Sequence, residues 1–354
     1  MIQKIWFAFV CNTIQLGLFF YSKRIKVSGR KNIPKKGAVL FAINHPNGLV
    51  DPLYVTTTNR RQNHFLVRAA SFKNPFIKKV LESLYLMPIY RIRDGIQQLA
   101  NNKEIFERCF KILHNQETLM IFPEGSHDKK RTVRRLSKGF TRIVSGALEK
   151  HPELEIKVVP VGITYQHASS FPAKVVIHYG QPIATREIFE ANAPAKSINI
   201  LKAAVTAQLK KLSVHIPNDK KYEAVLKQLN DAQVDFTQVD QVNRMIENNT
   251  FPKSKKGKKN FLKPLLYLIK LNSILPFLIW KIALKKIDEI EFIDTFRFSL
   301  HLGLIPVFYG LQAWIIGLIY GTLVGFLYLT ISGLLILVYV KCAPTNTKTH
   351  IEFV

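Results

Sequence analysis

Residues 299–340 contain no Lys, Arg, Asp or Glu, and this uncharged stretch constrains the fold more than any other feature. A transmembrane helix needs about 20 predominantly apolar residues, so the stretch is long enough for two. Arg297 before it and Lys341 after it place both of its ends on the cytoplasmic side by the positive-inside rule. Small residues recur on one helix face, at Gly317, Gly321 and Gly325. The pattern predicts a transmembrane hairpin over residues 299–340, with a pair of buried core helices as the alternative.

A second apolar segment, Ile5–Tyr21, lies near residue 1. It is interrupted by polar residues at positions 12, 13 and 15 and is at the short limit for a membrane span. Basic residues follow this segment directly, and it is not followed by a small-residue cleavage site. Both features argue against a secretory signal. We expect a membrane-associated helix within residues 1–24 that lies in or dips into the inner leaflet, with a full span as the alternative.

The charge balance narrows the class of partner. Lys and Arg number 51 against 24 Asp and Glu, a formal net charge of +27, while 47% of the residues are apolar. A membrane surface with anionic headgroups binds both basic and apolar residues, which makes it the expected partner. The sequence has no nucleic-acid recognition motif to accompany its positive charge. After a polar linker over residues 216–260 that ends in a lysine cluster, the lysine-interrupted apolar residues within 261–298 predict interfacial helices. Residues 341–354 are expected to form a cytoplasmic tail.

Residues 25–215 show the pattern of an α/β domain, in which short apolar runs typical of strands alternate with helical patterns. The clearest helical pattern covers about Gly95–His114, and Cys109 lies on its apolar stripe, where core packing is the expected role. Sheets of this kind carry their functional residues in loops beyond the strand ends. The predicted strands are Ala38–Ile43, Phe65–Val67, Leu86–Tyr90, Thr118–Phe122, Val158–Ile163 and Val175–Tyr179.

The loop after the first predicted strand, residues 44–51, reads Asn-His-Pro-Asn-Gly-Leu-Val-Asp. Its Pro-Asn-Gly sequence predicts a turn that presents His45 at the mouth of the sheet. Asp51 falls where a helix is expected to begin, and there a carboxylate is favoured and can hold one imidazole nitrogen. The other nitrogen would then be free to act as a base. The alternatives are a helix cap beside an ordinary turn histidine, and a metal site completed by His127 and Asp128.

Two further loops and one strand carry candidate binding residues. Alternation around Ile92 puts Arg91 and Arg93 on one side of an extended segment, where two guanidinium groups can grip a phosphate; a surface pair bridged to Asp94 is the alternative. Glu124 follows a strand beside Gly125, an arrangement that suits a polyol or phosphate, or else an ordinary polar turn. In the run over residues 158–163, Pro160 and Gly162 could wall an apolar channel or mark a plain edge strand.

In this order, the four segments resemble the motifs of the glycerolipid acyltransferase family, which includes glycerol-phosphate and lysophosphatidate acyltransferases. The first motif, of the HX4D type (Asn-His-x-x-x-x-Asp or a close variant), is matched at Asn44, His45 and Asp51. The second centres on an arginine, best matched by Arg91 with Arg93 as the alternative. The third and fourth motifs, Phe-Pro-Glu-Gly and an apolar run with proline, are matched at residues 122–125 and 158–163.

One departure concerns the third motif. Many members of the family continue it with an arginine-containing tail, whereas this chain has Ser126, His127 and Asp128. The phosphate contact that the missing arginine would make could fall to Arg93 or Lys130. This departure leaves open which acceptor the resemblance implies.

The resemblance covers about residues 25–215 and implies an α/β fold, a glycerolipid-acyltransferase-type sheet flanked by helices, to which the apolar segments add an N-terminal membrane helix and a C-terminal transmembrane hairpin. It implies transfer of a fatty acyl group from acyl-CoA or acyl-ACP, with neither a cofactor nor a metal, to 1-acylglycerol-3-phosphate, giving phosphatidate. Glycerol 3-phosphate or dihydroxyacetone phosphate is the alternative acceptor, and a non-catalytic lipid-binding protein is the alternative of another class. Membrane lipids are expected partners, nucleic acid is not, and the catalytic domain of this integral membrane protein is expected on the cytoplasmic face.

The resemblance also assigns residues to roles. His45 would be the general base and Asp51 its orienting partner, as in the His-Asp half of a catalytic triad. Independently of the resemblance, the position of Asn47 and Gly48 in the turn suggests that backbone amides near them could stabilise the oxyanion. Phosphate and glycerol binding would fall to Arg91, Arg93, Glu124, Gly125 and Ser126. Supporting roles would fall to Asn44, Gly48, Pro123 and Pro160.

Overall fold

The computed structural model describes residues 2–90, 96–190, 192–255, 257, 259–287 and 292–345. Its strands form one mixed sheet in the order β1-β7-β6-β2-β5-β3-β4, and β8 pairs with β6. The strands are β1 (Ser22–Ser28), β2 (Ala38–Ile43), β3 (Asn63–Arg68), β4 (Leu86–Ile89), β5 (Thr118–Ile121), β6 (Ile156–Tyr165), β7 (Ala173–Tyr179) and β8 (Ile183–Ala184).

Helices cover both faces of this sheet, and the predicted α/β fold is confirmed. One face packs against α4, α5 and α7, and the other against α1 and α2. Because β2 lies between β5 and β6 and is covered on both sides, all six of its residues are buried, as its unbroken apolar sequence predicts. The helices of this part of the chain are α1 (Ile2–Tyr21), α2 (Val50–Asn59), α3 (Pro75–Ser83), α4 (Asn102–His114), α5 (Gly139–Lys150), α6 (Thr185–Glu190), α7 (Pro194–Leu212), α8 (Tyr222–Asp231) and α9 (Val239–Glu247).

All six predicted strands are present, but the structure corrects three other expectations. The edge strand β1, Ser-Lys-Arg-Ile-Lys-Val-Ser, was not predicted, and its first three residues fall within the expected membrane-associated segment 1–24. The predicted helix at 95–114 begins with a 3-10 segment, Ile96–Asn101, before α4. The edge-strand alternative for β6 is wrong, because β6 pairs with β2 on one side and β7 on the other.

Two residues singled out in the sequence serve the core. Cys109 is fully buried on α4, and burial raises the pKa of its thiol to about 12, as suits a packing role. Gly162 faces the end of α7, where a Cβ atom would lie 2.2 Å from the carbonyl oxygen of Leu212. The glycine in β6 therefore permits close packing of a helix on the sheet rather than lining a channel.

The carboxyl-terminal third contains α10 (Lys263–Asn272), α11 (Ile274–Leu284), α12 (Ile293–Tyr320) and α13 (Thr322–Cys342). Among the described residues, three helices are long and apolar enough to cross a membrane: α1, α12 and α13. The turn of the predicted hairpin lies at Gly321, whose φ of 96° suits glycine. The first helix begins at Ile293, six residues before the predicted start, and so includes Asp294 and Arg297. The short helices α10 and α11 meet at an angle of 94°.

Helix α1 contacts the α/β domain near both of its ends. Close to its beginning, the indole of Trp6 donates a hydrogen bond to Ser83 Oγ at 3.1 Å, and the amide of Gln3 donates to the Ser83 carbonyl at 3.2 Å. At its end, the chain continues directly into β1. Its outer surface exposes Ile5, Phe9, Leu16 and Phe19 among other apolar side chains.

Candidate active site

The loop between β2 and α2 brings His45 and Asp51 into contact. His45 Nδ1 lies 2.8 Å from Asp51 Oδ2, and the two side chains are 12% and 0% exposed. A carboxylate can only accept hydrogen bonds, so His45 donates from Nδ1, and the neutral form of this imidazole has its lone pair on Nε2. The imidazole stacks on Phe122, with ring centroids 4.0 Å apart, which restricts its rotation. The pair has the geometry of an oriented general base.

Three groups donate hydrogen bonds to Asp51, which lies in the first turn of α2. The backbone N–H of Asn47 donates to Oδ2 at 2.7 Å, beside the bond from His45, and the Tyr165 hydroxyl donates to Oδ1 at 2.7 Å. Burial and the charge of Asp51 both raise the pKa of Tyr165 well above its ordinary value, so this hydroxyl stays a donor. The positive end of the α2 dipole adds to this stabilisation of a negative charge.

The structure corrects the expectation for the oxyanion at Asn47. Its N–H already donates to Asp51 and is committed to holding the carboxylate. Gly48, the other expected contributor, has a φ of 37° and lies in the same turn. Asn44 joins two strands instead, since its side chain donates to the Ile163 carbonyl at 3.0 Å and accepts from the Ile163 N–H at 2.7 Å. These bonds fix the end of β2 from which His45 projects.

Glu124 lies in the loop after β5 and pairs with Arg134. Arg134 Nε donates to Glu124 Oε2 at 2.9 Å, and Arg134 Nη1 donates to Ser126 Oγ at 2.7 Å. The Glu124 side chain is only 3% exposed. Burial raises the pKa of its carboxyl group, and the charge of Arg134 opposes that shift. Oε1 is buried and has no hydrogen-bond partner among the described residues, so one acceptor of this carboxylate is unsatisfied.

A cavity of about 650 Å³ connects these groups. His45 and Glu124 line it together with Ile163, and cationic side chains line its rim: Lys129, Lys130 and Arg131. The Arg131 guanidinium donates to the carbonyls of Tyr165 and Gln166 at 2.9 and 2.8 Å, so it supports the wall of the cavity. The site thus combines a base, a free carboxylate oxygen and cationic side chains around one space.

The remaining predicted residues have varied positions. Arg91 and Arg93 lie outside the described residues, so their phosphate-binding role stays a prediction. The N–H of Gly125 donates to the Phe122 carbonyl at 3.1 Å within the turn, so it does not face a ligand as expected. The Pro123 carbonyl accepts from the Ser137 N–H at 2.7 Å. Pro160 is buried within β6, opposite Ala42, and is not among the residues that line the cavity.

Two residues at the site escaped the sequence analysis, namely Tyr165 and Arg134. Tyr165 contacts a partner far away in the sequence, and Arg134 lies in a segment without regular secondary structure, so no local sequence pattern identifies either residue. The third motif lacks its usual arginine, but Arg134, eight residues after Ser126, places a guanidinium next to Ser126 and Glu124. The first motif also differs in length. Five residues separate His45 from Asp51, so the four-residue HX4D spacing itself is absent.

Known proteins resemble part of the chain. A family model described as Acyltransferase matches residues 24–164. The chain is 32% identical over 79 residues to Glycerol-3-phosphate O-acyltransferase 1 of Saccharomyces cerevisiae, covering 22% of this chain and 10% of that protein. It is 28% identical over 126 residues to 1-acyl-sn-glycerol-3-phosphate acyltransferase of Borreliella burgdorferi, covering 36% of this chain and 48% of that protein.

A solved structure is also similar. The crystal structure of the 1-acyl-sn-glycerophosphate (LPA) acyltransferase PlsC from Thermotoga maritima matches with a TM-score of 0.45 and 16% identity, covering 61% of this chain and 83% of that one. The chain spans between a tenth and about half of the length of the curated relatives it matches. Residues 24–164 thus match the family model described as Acyltransferase, and the curated proteins to which the chain is similar include ones named as glycerol-3-phosphate and 1-acyl-sn-glycerol-3-phosphate acyltransferases.

Proposed function

We propose that the chain is a membrane-bound O-acyltransferase that moves a fatty acyl group from a thioester to a hydroxyl of a glycerol-phosphate acceptor. The observation that carries this proposal is the His45–Asp51 pair, 2.8 Å apart, at a cavity that is also lined by Glu124, one of whose oxygens has no partner among the described residues. The reaction needs a base at the attacking hydroxyl and a site for a polar, anionic acceptor. Acyl-CoA or acyl carrier protein would supply the thioester.

His45 would take the proton of the acceptor hydroxyl on Nε2 as the oxygen attacks the thioester carbonyl. Asp51 would stabilise the imidazolium that forms, because its Oδ2 accepts the Nδ1–H bond at 2.8 Å. The tetrahedral intermediate would then collapse with cleavage of the carbon–sulfur bond. The departing sulfur would take the proton back from Nε2, giving the free thiol and an oxygen ester. The acceptor supplies the nucleophile, so the proposed mechanism has no covalent acyl-enzyme.

Glu124 would orient the acceptor. Its Oε1 is buried and lacks a partner among the described residues, and Glu124 lines the same cavity as His45. A glycerol hydroxyl that donates to this oxygen would satisfy it, and a site with a buried acceptor of this kind discriminates strongly for ligands that can donate. Lys129 and Lys130 at the cavity rim would favour the acceptor phosphate electrostatically, together with the predicted contribution of Arg91 and Arg93.

The acceptor expected from the sequence is 1-acylglycerol-3-phosphate, which would give phosphatidate for phospholipid biosynthesis. A second candidate is glycerol 3-phosphate, supported by the name of the Saccharomyces cerevisiae relative. Dihydroxyacetone phosphate offers the same phosphate and one hydroxyl. All three carry a phosphate and a free hydroxyl on a three-carbon backbone, so the proposed chemistry at His45 is common to them.

The chain would work at the membrane surface on the cytoplasmic face. The apolar helices α12 and α13 would anchor residues 25–215, the proposed catalytic unit. Arg297 and Lys341 flank the uncharged stretch of the hairpin, and basic residues near membrane ends favour the cytoplasmic side. Membrane lipids would then be both the environment of the hairpin and the destination of the product.

The test is thiol release by the purified full chain in detergent or nanodiscs. Palmitoyl-CoA and palmitoyl-acyl-carrier protein serve as donors, and 1-acylglycerol-3-phosphate, glycerol 3-phosphate and dihydroxyacetone phosphate as acceptors. We expect acceptor-dependent release that falls by at least about 10²-fold in His45→Ala, whereas His151→Ala, at the end of α5, keeps the wild-type rate. Release that no acceptor stimulates would contradict the proposal and favour a lipid-binding role. A His45→Ala variant with unchanged activity would remove His45 from the mechanism.

A further inference from the structure

The first turn of α12 contacts the His45–Asp51 loop directly. The Asn47 side-chain amide donates to Asp294 Oδ2 at 2.9 Å, and the backbone N–H of Leu49 donates to Thr295 Oγ1 at 3.1 Å. A membrane hairpin that served only as an anchor would not need to satisfy polar groups inside the loop that carries the proposed base. These contacts join segments about 247 residues apart in sequence.

Asp294 is itself held by a buried polar network. The Tyr21 hydroxyl donates to Asp294 Oδ1 at 2.5 Å, and Arg297 pairs with the same oxygen. Arg297 also donates to the Tyr21 hydroxyl at 3.0 Å and to the Ser169 carbonyl at 2.7 Å. Asp294, Arg297 and Tyr21 are 1%, 2% and 4% exposed. Because buried charges are costly unless paired and hydrogen-bonded, this network has one favourable arrangement and fixes Asp294 in place.

Asn47 passes this constraint to Asp51. Its side chain donates to Asp294, while its backbone N–H donates to Asp51 Oδ2, the oxygen that also accepts from His45. Asn47 is fully buried, so neither bond competes with solvent. A shift of α12 would therefore move the donor that helps to orient the carboxylate beside the base.

We propose that the start of α12 sets the geometry of the His45–Asp51 loop, with Asp294 and Thr295 as positioning residues. The kinetic test of this proposal rests on the proposed function, because it measures kcat. The hydrogen-exchange test does not depend on activity. Its consequence is that the hairpin must be packed correctly for the base to be oriented.

The sharpest test compares Thr295→Val with Thr295→Ser. Valine keeps the branched shape and removes the acceptor of the Leu49 N–H, whereas serine keeps the acceptor and removes a methyl group. We expect Thr295→Val to lower kcat about tenfold, with KM within about twofold, because one hydrogen bond to the loop is lost. Thr295→Ser should restore most of kcat. Thr295→Ala, which also lacks the hydroxyl, takes the place of Thr295→Val if that variant does not fold.

Hydrogen–deuterium exchange of peptides spanning residues 44–53 supplies the second measurement. The loop amides should exchange faster in Thr295→Val than in Thr295→Ser. Val307→Ala, a change at a 71% exposed position of the same helix, should leave both exchange and kcat at wild-type values. Equal exchange and equal kcat in the Val and Ser variants would overturn the proposal. If the wild-type chain is inactive while Thr295→Val still loosens the loop, the proposed function fails and the positioning stands.

Discussion

Replacing Asp51 by Asn separates the charge of the proposed catalytic pair from its geometry. Asp51 Oδ2 accepts two hydrogen bonds, from His45 Nδ1 and from the Asn47 N–H, whereas Oδ1 accepts one from the Tyr165 hydroxyl. An asparagine with its oxygen at the Oδ2 position keeps the first two bonds. Its NH₂ group would donate to the Tyr165 hydroxyl, which can turn to accept. The substitution should therefore preserve the loop and remove the negative charge.

The magnitude follows from the position of that charge. Opposite charges about 4 Å apart attract by about 4 kcal/mol at an effective dielectric constant near 20. In the proposed mechanism the imidazolium forms only after proton transfer, so this attraction acts in the transition state and not in the ground state. At about 1.4 kcal/mol for each factor of ten, Asp51→Asn should lower kcat about 10³-fold. KM should change little, because the cavity that binds the acceptor is unaltered.

The assay is acceptor-dependent thiol release by wild type, Asp51→Asn, His45→Ala and the double variant. If Asp51 acts only through His45, the double variant should be no slower than His45→Ala alone, since the carboxylate then has no imidazolium to stabilise. Thermal unfolding should show Asp51→Asn close to wild type. An Asp51→Asn variant within threefold of the wild-type rate would refute the reasoning. A double variant whose two losses multiply would show that Asp51 acts by another route.

Two further predictions concern stability. Arg134→Gln should destabilise the fold by about 3 kcal/mol, because it leaves the buried Glu124 carboxylate without its cation. Thermal unfolding should show that adding Glu124→Gln restores part of the lost stability. If the double variant is no more stable than Arg134→Gln, Arg134 does not act by pairing with Glu124. His215 accepts a hydrogen bond from the Val133 N–H on Nδ1, and burial with the nearby Lys210 lowers its pKa from 6.5 to about 4. Between those pH values the unfolded chain binds a proton that the folded chain does not, so the free energy of unfolding should fall as the pH drops from about 6.5 to 4. His215→Asn keeps a hydrogen-bond acceptor at this position and should weaken the pH dependence of thermal unfolding measured at pH 7 and pH 5. An unchanged pH dependence in this variant would argue against His215 as its source.

The sequence predicts best what local chemistry determines. The apolar run before Asn44 and the turn after His45 are enough to predict a strand that ends next to an imidazole. The helix start at Asp51 is enough to predict a carboxylate within reach of that imidazole, and the structure has both features. The apolar run predicts β2 with its observed bounds for the same reason, because its burial on both faces requires an unbroken apolar sequence.

Contacts between distant segments could not be predicted. Tyr165 lies 114 residues from Asp51, and its apolar neighbours in β6 give no sign that its hydroxyl has a charged partner. The strand β1 was not predicted, because a strand at the edge of a sheet tolerates basic residues and its sequence therefore lacks an unbroken apolar run. Asp294 lies in the first turn of a membrane helix, where only the folded structure shows that it faces a loop near residue 47. The roles of Arg91 and Arg93 stay predictions.

The contacts of α1 near both of its ends bear on how the protein responds to bilayer thickness. Gln3 and Trp6 bond to Ser83 of the α/β domain, and Tyr21 leads into β1 of the same domain. A helix tied to one soluble domain near both ends lies along it, which favours α1 in the interfacial plane of one leaflet. Hydrophobic mismatch would then act on α12 and α13 alone. Because Asp294 at the start of α12 is bonded to Tyr21 and to Asn47, a hairpin that tilts in a thicker or thinner membrane would strain the end of α1 and the His45–Asp51 loop.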